Sequence, residues 1–363
     1  MIPRTPADVL ELAEHAVARA LAAGADEAEA CVARSRGSSV TLQKNDVQSG
    51  SGEDETVVGV RVFKGGAIGF ATVNDPEQID AAAAEALALA RVAPPDPLNG
   101  PADPETAAPL GGLADPALEA VDVGDLVDAA AEMLAQVRSE DARVRVDSGS
   151  VSVDFLLRAV ANSRGVRAAE SQATASGSLF GMAVDGDDVG SFDAEGDVVR
   201  KAADLRTALR AASARFVAKT VGALGARRGE SFKGAVILAP EVVAEFLLGN
   251  LAATLSAKAV RNRKSPFAGR LGERIADARL TLLDDPRDPS RAASAGFDRE
   301  GTATRTRPLV EHGVLKGFFY DAYEARAANA RPTGSARGGA SSSPSPGPWN
   351  LSLAAGATPF ARL

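Results

Sequence analysis

Cysteine is nearly absent: Cys31 is the one thiol in 363 residues, so no internal disulfide framework is available. That agrees with a reducing compartment. Histidine occurs twice, as His15 and His312, and one thiol with two imidazoles does not easily fill a three-ligand zinc site without a carboxylate. Aromatic residues make up only 4% of the chain. There is no G-x-S-x-G elbow and no Walker A sequence, which removes the usual marks of a serine hydrolase and of a P-loop nucleotide site. No apolar run approaches the about 18 residues of a membrane span, and no basic start leads into an apolar stretch. These absences predict a cytoplasmic protein with no membrane partner.

The net charge of -8 is unevenly spread. Residues 1–226 carry 20 Lys and Arg against 35 Asp and Glu, whereas residues 227–337 carry 19 against 13. An acidic first part argues against nonspecific nucleic-acid binding by the whole chain, and the mildly basic second part leaves room for an acidic peptide or partner. Within it, Lys258, Arg261, Arg263, Lys264, Arg270 and Arg274 follow a helix, where cations also complement the macrodipole.

The periodicities predict an α+β protein. Thr5-Pro6-Ala7-Asp8 opens a helix that Gly24 ends. Strands are expected at Glu29 to Arg34, Ser39 to Lys44, Thr56 to Phe63 and Ala67 to Val73, and a second helix from Asp75 to Val92. Residues 1–92 therefore form an N-terminal domain of helices and antiparallel sheet. Residues 93–116 hold seven prolines without an apolar period, as a linker or extended surface loop does. A middle α+β region, 117–226, has a helix near Asp122 to Arg138, strands turning at Asn162-Ser163-Arg164-Gly165, and a helix from Asp204 to Leu224. Asp185-Gly186-Asp187-Asp188 lacks the later ligands of a calcium loop and reads as a solvated turn. The C-terminal domain, 227–363, is expected to hold a mixed sheet, with a strand at Ala235 to Leu238 and a buried helix from Pro240 through Val242, Val243, Phe246, Leu247, Leu251 and Leu255.

Gly296 to Asn350 is the most distinctive stretch. Phe297-Asp298-Arg299-Glu300-Gly301 is a turn, Leu309-Val310 and Val314-Leu315 flank a hairpin return at Glu311-His312-Gly313, and Gly317-Phe318-Phe319-Tyr320-Asp321 gathers aromatics. Phe297, Asp298, Arg307, Leu309, His312 and Phe318 are the candidate contacts to a peptide or partner. The adjacent pair Asp284-Asp285, before Pro286, reads as a turn.

Five signals in order resemble the TldD/PmbA family, also called the modulator-of-gyrase family. They are Val57 to Val62, the Gly66 to Phe70 hairpin, Ser265-Pro266-Phe267-Ala268-Gly269-Arg270-Leu271-Gly272, Phe297 to Gly301, and the run from Gly313 through Gly317, Asp321, Thr333-Gly334 and Asn350. The resemblance implies a two-subunit zinc peptidase. TldD-like chains carry HExxxH, whose histidines hold zinc on a helix while the glutamate polarises water, and TldE/PmbA-type chains lack it. The place of that motif is occupied here by Leu248-Gly249-Asn250-Leu251-Ala252-Ala253. Leu248 and Ala253 cannot ligate and Gly249 cannot serve as base. The resemblance therefore implies a TldE/PmbA-type subunit with no catalytic residue, metal or cofactor of its own, a zinc-bearing TldD-like partner, an unfolded peptide substrate, and a homo- or hetero-oligomer. Relatives usually continue beyond the Asn350 loop, so a C-terminal domain stopping at Leu363 is expected to be incomplete, with its Gly338 to Pro348 loop mobile. Two alternatives are a peptidase using an unrecognised site of its own and a binding protein that modulates DNA gyrase through the Lys258 to Arg274 run.

Overall fold

The structure is a computed structural model that describes residues 3–105 and 108–358. Its first half is a long antiparallel sheet with helices on one face. Helix α1 (Pro6–Ala22) starts at a capping box in which the Asp8 N–H donates to the Thr5 hydroxyl and the Thr5 N–H donates back to the Asp8 carboxylate. Strands β1 (Glu27–Gln43), β2 (Asp46–Lys64) and β3 (Ala67–Val73) follow, then α2 (Ile79–Val92). After the Pro-rich stretch come α3 (Val123–Glu140), β4 (Val144–Asn162), β5 (Arg167–Asp185), the short β6 (Asp188–Val189), β7 (Asp193–Val199) and α4 (Ala202–Gly222).

These strands make one sheet in the order β3-β2-β1-β4-β5-β6, with β7 also on β5. β1 pairs antiparallel with β4 from Glu29 opposite Asn162 to Gln43 opposite Ser148, so residues 1–92 and 117–226 share a single sheet. Period-two alternation sorts the side chains. Ala28, Ala30 and Val32 pack under α1 and α2, and Val40 and Leu42 pack under α3 and α4. Each buried Val or Leu contributes roughly 1.5–3 kcal/mol. Gly69 lets α2 lie directly on β3, because a Cβ there would come within 1.9 Å of the Ala86 carbonyl oxygen. The two short strands expected at Glu29 to Arg34 and Ser39 to Lys44 are one continuous β1. The polar Ser35 to Ser38 between them is held in the sheet by β2 on one side and β4 on the other.

The described residues of the 93–116 stretch, 93–105 and 108–116, lie seated on the body as a strap. Arg326 donates to the Leu98 and Gly100 carbonyls, each at 3.0 Å, Asn162 to Ala102 at 2.8 Å, and Arg200 to Leu113 at 2.6 Å.

In the C-terminal part, strands β8 (Leu282–Asp284), β9 (Arg307–Glu311), β10 (Val314–Leu315) and β13 (Leu351–Leu353) form a sheet in the order β10-β9-β8-β13, and β11 (Ala336–Arg337) pairs with β12 (Ser345–Pro346). Every named pair is antiparallel, and an isolated parallel bridge joins Ser256 to Phe319. Leu255, Leu282, Leu309, Leu315, Phe318 and Phe319 form its core, beneath α7 (Ala257–Arg261).

Three expectations for this part are corrected. The strand at Ala235 to Leu238 does not form, since residues 226–239 have no strand beside them among the described residues and Val236, Ile237 and Leu238 are exposed. The helix after Pro240 is not buried. It comprises α5 (Pro240–Val242), a π-helical turn Val243–Leu248 and α6 (Gly249–Thr254), with Phe246 70% exposed and only Leu248 and Leu251 packing partly on the core. Helical spacing supplied an apolar stripe, but no element covers it among the described residues. The Gly338 to Pro348 loop is also not loose: it closes the β11/β12 pair, and Ala340 is buried against β2, where a Cβ on Gly59 would sit 1.9 Å from the Ala340 oxygen. No helix among the described residues is long and apolar enough to cross a membrane.

Candidate functional site

The face of the sheet opposite the helices receives the turn Phe297 to Gly301. Asp298 organises that turn. Its carboxylate accepts from the Glu300 N–H at 2.9 Å, the Thr302 N–H at 3.0 Å and the Ala336 N–H at 3.0 Å. Gly301 takes φ +82°, and a Cβ there would strike Val166 at 2.3 Å. The turn therefore sets two consecutive charged side chains, Arg299 and Glu300, against β1 and β2.

There they complete a buried chain of four charges. Arg299 donates to Glu29 at 2.8 Å, Arg61 donates to the other Glu29 oxygen at 2.8 Å, and Arg61 reaches Glu300 at 2.9 Å. The second Glu300 oxygen accepts from the Ala322 N–H at 2.7 Å, at the start of α8 (Ala322–Ala327). All four side chains are buried. Burial lowers the Arg61 pKa, but the carboxylates of Glu29 and Glu300 outweigh it and hold the group above its ordinary value. One nitrogen each of Arg61 and Arg299 has no hydrogen-bond partner among the described residues. Close by, burial and then the charge of Glu300 push Asp298 up to about 8, against the pull of its three N–H donors. The same two causes raise Asp321 to about 7. Asp321 caps α8 through the Glu324 N–H, and Glu324 takes a two-point ion pair from Arg261, both contacts at 2.8 Å.

The hairpin forms as expected. His312 at φ +49° and Gly313 at φ +76° make a turn with both central residues left-handed, matching the twist of β9 and β10. Its free edge is already taken, since the Gly272 N–H donates to Leu315 and the Leu315 N–H to Glu273, each at 2.9 Å. Arg307 is half-buried, donates to the Phe318 carbonyl at 2.9 Å and the Ser335 hydroxyl at 3.1 Å, and is lowered by burial to about 10.

Of the candidate contacts, Phe297, Asp298, Leu309 and Phe318 are buried inside the fold. They brace the segment from within, so as apolar or turn-forming groups their side chains do not form its surface. Arg307 is partly accessible and His312 is exposed. The 335–336 segment links the two groups, with Ser335 on Arg307 and Ala336 on Asp298. The basic run is divided: Arg261 is committed to Glu324, Arg270 to Glu273, and Arg274 to the His312 carbonyl.

Sequence reading did not single out Glu29, Arg61 or Glu324, and it placed Arg299 and Glu300 only in a turn and Arg261 only in a basic run, not in these ion pairs. A signal existed at Arg61, the single charge in the otherwise apolar run Val57 to Phe63, but not at Glu29, which lies between the charges of Glu27 and Arg34 on its strand.

The helix at Leu248 to Ala253 offers no imidazole, thiolate or carboxylate, so its residues do not fit zinc. His15 on α1, His312 in the hairpin turn and the buried Cys31 on β1 lie on separate elements, and no group of three or more His, Cys, Asp or Glu among the described residues is placed to hold a metal.

Family descriptions match the chain in three consecutive blocks: PmbA/TldA metallopeptidase domain 1 over residues 28–90, the central domain over 116–210 and the C-terminal domain over 231–363. The chain belongs to the PmbA/TldD metallopeptidase family. Among its relatives is the metalloprotease PmbA of Escherichia coli O157:H7, 28% identical over 336 residues, covering 90% of this chain and 74% of that protein. The metalloprotease PmbA homolog of Haemophilus influenzae is 25% identical over 332 residues, covering 89% and 72%. The crystal structure of TldE from Thermococcus kodakarensis matches with a TM-score of 0.84 at 23% identity, over 96% of this chain and 79% of that one, which supports the shared α+β fold. Within this PmbA/TldD fold, the Phe297 to Gly301 turn joins the C-terminal part to the sheet.

Proposed function

We propose that this chain is the metal-free subunit of a heteromeric zinc peptidase acting on unfolded peptides. It holds peptide and completes the enclosure, while an HExxxH-bearing relative supplies the zinc and the water-polarising glutamate. The observation that supports this reading is the helix at Leu248, Gly249 and Ala253, the expected place of ligand and base, whose side chains carry no donor atoms. Family membership supports the peptidase role, and two of its relatives are named metalloprotease PmbA or its homolog. The exposed apolar side of the same helix, with Val242 and Phe246, offers a surface for a second chain.

The test is reconstitution. The chain is mixed with an HExxxH-bearing member of the family from the same source, and complex formation and cleavage of an unstructured peptide are measured. The expected result is a stable complex whose cleavage needs both chains. Absence of a complex, with cleavage by the partner indifferent to this chain, would sink the proposal.

A further inference from the structure

β5 has one edge fully paired and the other only partly covered. Its inner edge runs beside β4 from Ala183 to Arg167. On its outer edge β6 pairs at Val184 and Asp185, and β7 pairs from Gly181 to Ala175. Ala173 is then capped individually, its N–H donating to the Leu113 carbonyl at 2.9 Å and its C=O accepting from Arg200 at 3.4 Å. Beyond it, Arg167 to Gln172 have no strand on that side among the described residues.

The direction of the unpaired groups follows from ladder geometry. In an antiparallel strand the N–H and C=O of one residue point to the same side and alternate along the chain. Both groups of Ala173 point outward, so those of Ser171, Ala169 and Arg167 do too. The other end gives the same parity, because the Val166 carbonyl turns inward to accept from the Asn162 N–H at 3.1 Å. Three N–H and three C=O groups therefore line the outer edge, and none has a hydrogen-bond partner among the described residues.

They do not face bulk solvent alone. A groove of about 620 Å³ runs along them, bounded by Ala169 and Ser171 on the strand, Val166 just before it, Leu110 on the strap, and Gly296 and Phe297 at the start of the 297–301 turn. On the strap, Arg287 donates to Ala108 at 3.1 Å and Pro109 at 3.3 Å, and the Leu113 carbonyl, where the strap meets the edge, accepts from both Ala173 and Arg200. Proteins usually blunt an open edge with proline, an inward charge or a bulge. Here Arg167 is paired with Glu14 and Glu170 with Arg158, and no proline or register break occurs over Arg167 to Ser171.

We propose that the outer edge of β5 at Arg167 to Ser171 accepts an extended polypeptide segment as an added strand, continuing the row that β7 begins. Five residues span about 17 Å, which suits a short unfolded stretch. Recognition through main-chain groups selects for extended conformation rather than for side-chain sequence. This inference rests on the peptide-holding reading and assigns the holding to this chain alone, so it is tested without the partner.

The purified chain is titrated with fluorescently labelled N-acetyl-Ala-Ser-Ala-Ser-Ala-Ser-amide and with two derivatives. One is N-methylated at alternate residues and keeps one intact hydrogen-bonding edge, and the other is N-methylated at every residue and keeps none. The parent and the alternate derivative are expected to bind alike, and the fully methylated peptide at least tenfold more weakly. Amide hydrogen exchange is expected to slow at Arg167, Ala169 and Ser171 on addition of the parent, and to stay unchanged at Ala168 and Glu170. Ser171→Pro removes one outward N–H without touching the β4 ladder, and is expected to weaken binding with an unchanged far-UV circular dichroism spectrum. No binding of the parent, equal binding of all three peptides, or loss with alternate methylation would overturn the proposal. Should Ser171→Pro fail to fold, the peptide series alone decides. Loss of peptide binding with the two-chain complex intact refutes this edge, whereas peptide binding without a complex refutes the subunit reading.

Discussion

Glu29 and Arg299 lie 270 positions apart in the chain and meet at 2.8 Å, with neither side chain more than 1% exposed. Their pairing ties the Phe297 to Gly301 turn to β1. A buried ion pair contributes little net stability when intact, because desolvation offsets much of the attraction, but removing one member strands the other. Glu29→Ala leaves both Arg299 and Arg61 short of a carboxylate and is expected to cost about 3–5 kcal/mol. Urea denaturation measures it, and a loss below about 1 kcal/mol would mean that water replaces the carboxylate.

Stability is expected to fall as pH rises from about 4 to 8. Asp298 and Asp321 are raised in the fold to about 8 and about 7 from an ordinary 3.8. The folded chain therefore binds more protons than the unfolded chain within that window. Their contribution is full below the unfolded value and is lost as pH passes through the folded values, at up to about 1.4 kcal/mol per pH unit for each group. Thermal melts at pH 5.5 and 8.5 check the sign, and Asp321→Asn should flatten the slope.

Metal should follow the partner. The isolated chain, dialysed and analysed by mass spectrometry of metals, is expected to hold well under one zinc per chain, because the helix at Leu248 to Ala253 presents no ligand. Zinc should appear at stoichiometric level only in the two-chain complex. A chelator should abolish cleavage.

Gly59→Ala is expected to destabilise by about 1–3 kcal/mol through overpacking. A Cβ at that position would lie 1.9 Å from the Ala340 oxygen, so the Gly338 to Pro348 loop must lift away from β2. Limited proteolysis should then cut that loop first. Gly229→Ala, where an added Cβ meets nothing within 4 Å, is the control and should melt unchanged.

Much of the fold could be read where local rules act alone. The capping box at Thr5 and Asp8 and the hairpin return at His312 and Gly313 are set by neighbours in sequence and stand where expected, while Asp75 caps a 3-10 turn, Pro76–Gln78, that leads into α2 at Ile79. What escaped depended on distant partners. The polar middle of β1 is a strand because β2 and β4 flank it, whereas the apolar Ala235 to Leu238 is not one because nothing among the described residues pairs with it. The buried charges escaped for the same reason: Glu29 becomes a core group only when Arg61 and Arg299 arrive. Phe297 and Phe318 look like surface anchors in sequence, but the helix-free face of the sheet and the β8–β10 core enclose them.

The strand pair β1 and β4 also has a consequence for biosynthesis. β1 leaves the ribosome early and can zip to β2 at once, yet its second edge has no mate until the strap and α3 have been made. During that interval the nascent chain carries an exposed template for strand addition. The same pairing means that a protease nick in the strap need not release a fragment, since the halves remain stitched by a ladder from Glu29 to Gln43. Covalent continuity across residues 93–116 thus governs the order of assembly, while cohesion is left to the sheet.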